Sequence, residues 1–162
     1  MISALLAFLG LIAGRIIYEK TKDEYKSGLK YFKLAEKITI GAIAVSLLFS
    51  NLSLIIFLYV LVGIIIGIFL KEVYFYLGVG MLGTLFLSDS FILLASVLIF
   101  FFGIVHGTIL KINLKKIGVK ALFFFIPFLF LLIQSFINTN LDIFLGLAIG
   151  GLLAQLGRAS GS

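Results

Sequence analysis

The chain contains no cysteine, no tryptophan, one proline and one histidine. Without cysteine there are no disulfides, no thiolate metal sites and no cysteine nucleophile, so redox logic assigns no compartment. A single histidine cannot supply a paired-histidine metal centre, and neither an HExxH nor a GxSxG pattern occurs. Gly78-Val79-Gly80 begins like the glycine-rich motif of intramembrane aspartyl proteases, but Met81 stands where that chemistry requires an aspartate. No metal and no cofactor is expected, and the residues give no enzyme motif.

Charge is also scarce, at 12% of residues against 62% hydrophobic ones, over 162 positions. With a mean hydropathy of +1.28, the chain carries more apolar surface than a soluble domain of this length can bury. The bilayer is therefore the expected solvent, and the expected location is the cell membrane, multi-pass. A pI near 9.6 is compatible with nucleic acid, but basic residues beside apolar spans more often meet lipid head groups or set orientation. Membrane lipids are the expected partners, and no nucleic acid is. Met1 to Gly14 is apolar without a basic start, so it reads as a first span rather than a cleavable signal.

Dividing the apolar runs by the ~20 residues that cross a bilayer gives seven short spans, at about 1–17, 38–50, 54–70, 73–87, 91–110, 117–137 and 141–157. The long runs are broken by polar turns at Ser50-Asn51-Leu52-Ser53, Ser88-Asp89-Ser90 and Asn138-Thr139-Asn140, which makes one span followed by three hairpins. Eleven of the thirteen lysines and arginines fall between spans one and two, three and four, five and six, or after seven, and the other two, Arg15 and Lys120, lie in the adjoining end turns of spans one and six. The three polar turns hold none. Because short loops retain lysine and arginine on the cytoplasmic side, the expectation is an all-α integral membrane protein, a compact seven-helix bundle in one domain (1–158), with its N-terminus outside and its C-terminus cytoplasmic. Residues 159–162 read as a vector-derived remnant, which leaves the origin of the adjoining Arg158 open.

Gly-x-x-x-Gly recurs on every helix running inward: Gly10/Gly14, Gly63/Gly67, Gly103/Gly107 and Gly146/Gly150. Glycines four apart share one helix face and let two backbones approach, which matters in lipid because dispersion packing drives association there. The repeats divide as three hairpins after a lone helix or as 3+1+3. The second arrangement resembles that of SWEET-type sugar transporters in helix count and topology; the lone Pro127 departs from that family's prolines. The same glycine faces also suit packing against further copies or other chains.

Between Arg15 and Lys37 the chain is polar yet periodic. Lys26, Lys30, Lys33 and Lys37 align in one stripe, so an amphipathic helix over 18–37 is expected to lie along the inner surface, touching acidic head groups, before turning into span two. Gly28 is a point where it can break. Tyr18, Tyr25, Tyr31, Tyr74 and Tyr76 are expected at the inner interface. The run Phe123-Phe124-Phe125-Ile126-Pro127-Phe128 reads as a lipid-facing surface with a kink.

His106 sits where the other repeats carry Ala13, Ile66 and Ile149. Packing alone does not call for an imidazole, so His106 is the leading candidate for a proton or substrate site, against the alternative of one interhelical hydrogen bond to Thr39 or Thr108. Thr108, Glu72 and Gln134 are further candidates, Glu72 also as an ion-pair partner of Arg15 or a lysine. Asp89 and Asp142 are candidates for a cation-attracting outer mouth, or for helix caps. The leading functional expectation is a transporter, channel or binding protein for a small solute or ion near His106. The alternatives are a non-enzymatic membrane-complex subunit packing through its glycine faces, and a lipid-modifying enzyme at the inner surface. The inner acids available to such an enzyme are Glu19, Asp23, Glu24, Glu36 and Glu72.

Overall fold

The computed structural model describes residues 2–21, 25–51, 53–109, 114–133, 137 and 139–159. Among them the chain is helical: α1 (Ile2–Lys20), α2 (Tyr25–Ser50), α3 (Leu54–Phe69), α4 (Val73–Thr84), α5 (Asp89–Ile109), α6 (Leu114–Phe125), a 3-10 segment (Ile126–Ile133) and α7 (Leu141–Ala159). By length and composition α1, α5 and residues 141–158 of α7 can cross a membrane, and α3 and α4 are shorter apolar helices.

Two helix pairs form the frame, α1 against α5 and α3 against α7. Their contact is made backbone to backbone. A Cβ placed on Gly10 would collide with the carbonyl of Phe100 and one on Gly14 with that of Ile104; on the facing helix, a Cβ on Gly103 would lie 2.6 Å from the Leu11 nitrogen. In the second pair a Cβ on Gly63 would lie 2.7 Å from the Leu147 carbonyl oxygen, and one on Gly150 would meet that of Val60. Both faces are thus occupied within the chain.

The helix α4 fills the space between the pairs, contacting α5, α6, the 3-10 segment and α7, and nearly every residue from Val73 to Thr84 is buried. At twelve residues it is only about 18 Å long, shorter than a bilayer's hydrocarbon core. It stops at Thr84, before the expected end of that span at 87: from Leu85 to Leu87 the amides bond the carbonyls three residues back, and Thr84 Oγ1 donates to the Met81 carbonyl.

Residues 25–37 do not form a separate surface helix. They continue without a turn into α2, 26 residues long. Gly28 does not interrupt it: one glycine costs a helix only about 1 kcal/mol, and no proline is present to break the hydrogen-bond ladder. The buried face of α2 begins at Ile40 and continues through Ile43, Ala44 and Leu47, whereas Tyr31 and Leu34 are exposed.

The phenylalanine run differs from its sequence reading. Phe124 and Phe128 are buried, and Phe8, Phe124, Phe125 and Phe128 form one aromatic cluster with ring separations of 5.0–6.0 Å. A phenylalanine every fourth position points inward here, and Pro127, which cannot donate to an α-ladder, sits where α6 gives way to 3-10 geometry. Tyr74 and Tyr76 are core residues rather than interfacial ones; the Tyr76 hydroxyl donates to the Leu70 carbonyl at 3.0 Å.

Candidate functional site: a charged chamber at one end of the bundle

The buried stripes of four helices each end in a polar side chain. On α2 the stripe Leu47, Ile43, Ile40 is followed one turn earlier by Glu36; on α5 the stripe Ala95, Ile99, Phe102 is followed by His106. On α6 Lys120 lies one turn before Phe124, and on α7 Gln155 follows Leu145, Ala148 and Leu152. Residues three or four apart share a helix face, so a polar residue in phase with the core stripe points inward as the core does. All four occur at the same end of the bundle. There they surround a cavity of about 380 Å³ together with Ile40, Lys71, Glu72, Val73 and Arg158.

The chamber is organised by two acid–base pairs. His106 Nδ1 lies 2.5 Å from Glu36 Oε1, so with Glu36 ionised the Nδ1 proton is the donor and the ring's remaining function falls to Nε2. Phe102 stacks on the imidazole at 5.0 Å between centroids and 24° between planes, and Tyr74 meets it edge-on at 5.5 Å. Carboxylate and rings together fix its orientation. The second pair is Lys120 Nζ to Glu72 Oε1, 3.0 Å, with the ammonium 4.9 Å above the Tyr74 ring. His106 is 8% exposed, and its Nε2 and the Tyr74 hydroxyl are buried without a hydrogen-bond partner among the described residues. A buried polar atom left so costs about 1–3 kcal/mol.

The cations are arranged differently. Arg158 donates to the carbonyls of Gly67, at 3.1 Å, and Ile68, and Gln155 to those of Gly67 and Leu70; these caps close the end of α3. Lys71 is exposed beside them. Among the described residues the lining carries three cations, Lys71, Lys120 and Arg158, and two carboxylates, Glu36 and Glu72, which are engaged by His106 and Lys120.

Other candidate residues lie apart from this chamber. Thr108 is fully buried, its hydroxyl turned to the carbonyls of Ile104, at 2.8 Å, and Gly14, at 3.2 Å, so it ties α5 to α1; Thr39 bonds Ala35 in its own helix. Glu72 pairs with Lys120, and Arg15 pairs instead with Glu19 at 2.9 Å. Asp89 and Asp142 are not joined by any hydrogen bond or ion pair among the described residues. Asp142 accepts from Asn51 and from Ser53 Oγ, the latter at 2.9 Å, which clamps the α2–α3 turn to the start of α7. Asp89 borders an apolar groove of about 560 Å³ between α1 and α5, with Leu6, Ile92, Val97 and Phe101. Lys30, Lys33 and Lys37 line a surface groove with Leu29, Tyr31 and Leu34. Gln134 and the side chain of Lys26 lie outside the described residues.

Comparison with protein-family models, with curated proteins and with solved structures found no match. The chamber's own chemistry is therefore the ground for a functional reading.

Proposed function

We propose that the chain is a seven-span integral membrane protein, N-terminus outside, that binds a small oxyanion in the chamber at its cytoplasmic end. The observation that carries this reading is the convergence of Glu36, His106, Glu72, Lys120, Lys71 and Arg158 from separate parts of the chain on one cavity, where the three cations outnumber the two carboxylates by one. The anion is either a free solute or the phosphate of a lipid head group; both present the same oxygens to the lysines. The orientation is supported by the sorting of all thirteen basic residues, and by the chamber's position where those residues gather.

Beyond the chamber, toward the other end, the core is closed by apolar side chains, Leu11, Leu47, Leu77, Met81, Ile99 and Phe102, each at most 2% exposed. Transport of the bound anion requires that layer to part, and uptake into proteoliposomes tests whether it does. The subunit reading loses support because the glycine faces are occupied internally. The enzyme reading has one observation in its favour, the carboxylate–imidazole pair, but among the described residues no serine, threonine or cysteine lines the chamber to act as nucleophile.

Equilibrium binding of radiolabelled phosphate to the purified protein, with vesicles containing phosphatidic acid as a second arm, tests the reading. Lys71→Gln, at an exposed position, is expected to weaken binding several-fold while leaving the fold unchanged. Equal affinity in wild type and variant would remove the lysine from the site, and absence of binding in both arms would end the proposal.

A further inference from the structure

We infer that the chamber takes up its oxyanion together with one proton, and that the proton resides on Nε2 of His106. The inference rests on the anion-binding reading above and adds a stoichiometry to it. Its starting point is the pairing of Glu36 with Nδ1, which leaves Nε2 as a bare lone pair in the neutral ring. A dianionic phosphate monoester has acceptors only. Nε2 has almost no accessible surface in the free chain, so the anion reaches it once the ring or a neighbouring side chain shifts; its oxygens then face another acceptor, an arrangement that repels unless a proton lies between them. Placing the proton on Nε2 converts the clash into a charge-assisted hydrogen bond, and the new imidazolium is held between two anions, Glu36 at Nδ1 and the ligand at Nε2. The proton comes from solvent and no covalent bond changes.

The groups around His106 favour this assignment over a silent spectator ring. From α2 it faces Glu36; from α4 and its N-cap, Tyr74 and Glu72; from α6, Lys120; from α7, Gln155 and Arg158; and Lys71 completes the lining. On α1, the packing partner of α5, the nearest ionisable group is Arg15, whose guanidinium is held by Glu19. Glu72 is committed to Lys120, so Glu36 is the carboxylate that stabilises charge on the ring. Lys71 and Lys120 supply donors to the ligand's other oxygens. Because the bound state holds one more proton than the free site and free dianion, affinity falls as pH rises, by up to about tenfold per pH unit once the free ring is neutral.

The chain has one histidine, so ¹⁵N-histidine labelling gives a single imidazole spectrum that reports the protonation of both nitrogens without any substitution. The probes are methyl phosphate, dianionic at pH 8 because a phosphate ester's second pKa is about 6, and vesicles containing phosphatidic acid, with phosphatidylcholine vesicles as control. The expected result is one protonated and one bare nitrogen in the free protein, and two protonated nitrogens when either probe is bound. Saturation by methyl phosphate identifies a free solute, and a response to phosphatidic acid alone identifies a lipid head group. Calorimetry in two buffers of different ionisation enthalpy is expected to show about one proton taken up per methyl phosphate, and none in His106→Gln, which can donate to the anion but cannot ionise. Binding with Nε2 still bare, or without proton uptake, overturns this inference and leaves anion binding standing. Absence of binding by both probes overturns both readings.

Discussion

Replacing Gly10 by alanine adds one methyl group where α1 and α5 touch, and the structure fixes where that methyl would go. Its nearest neighbours are the carbonyl oxygen, carbonyl carbon and Cα of Phe100, all backbone, the last at 2.9 Å. No side chain can rotate away. Restoring ordinary contact requires the helices to separate by roughly 1 Å, which loosens the reciprocal contacts of Gly103 and Gly107 with Leu11 as well. Overpacking of this kind costs about 1–3 kcal/mol, and the gain in helix propensity from glycine to alanine returns up to about 1 kcal/mol. The net is destabilisation of up to about 2 kcal/mol. Gly41→Ala is the internal control: it lies in α2 with nothing within 4 Å of an added Cβ, so only the propensity term acts and stabilisation of about 0.5–1 kcal/mol is expected. Unfolding both variants in mixed micelles, followed by circular dichroism, separates them. Equal shifts in the same direction would refute the claim that the α1–α5 contact depends on absent side chains.

Because the chain has no cysteine, single-cysteine variants report sidedness cleanly: Lys71→Cys is expected to label from the cytoplasmic face and Asp89→Cys from the outer face, and labelling of both from one face would end the seven-span topology. Phe124→Ala, at a fully buried position among Phe8, Phe125 and Phe128, is expected to cost about 3–5 kcal/mol in the same unfolding assay; a change below 1 kcal/mol would return this ring to a lipid-facing role. Asp142→Ala removes the clamp on Asn51 and Ser53 and is expected to cost about 1–3 kcal/mol without changing anion affinity, since it does not line the chamber.

Helical class was legible from hydropathy alone, because apolar runs of this length leave no other way to satisfy the backbone in lipid. The continuity of α2 was not, since a basic amphipathic stretch and an apolar one can join through a turn or a straight helix with the same pattern; packing of Glu36 and Ile40 against the bundle selects the straight form. His106 stood out as the odd residue in a glycine repeat. Its partner did not, because Glu36 looks like one more charge in a polar segment unless the stripe Ile40, Ile43, Leu47 is extended backward by one turn. The same extension finds Lys120 before Phe124 and Gln155 after Leu152. Tyr74 and the phenylalanine run were misplaced for a different reason: an aromatic side chain suits the interface and the core equally well by composition, and only the presence of Gly78 against the Phe124 backbone decides which face turns inward.

The most direct test of the chamber is a single cysteine at Val73, which lines it from the first turn of α4 and carries none of the charges invoked. In oriented proteoliposomes at mildly acidic pH, a small membrane-impermeant thiol reagent is expected to modify Val73→Cys from the lysine-bearing side alone, and more slowly when methyl phosphate or bilayer phosphatidic acid is present. Modification from the Asp89 side, or an unchanged rate with both ligands, would contradict the account.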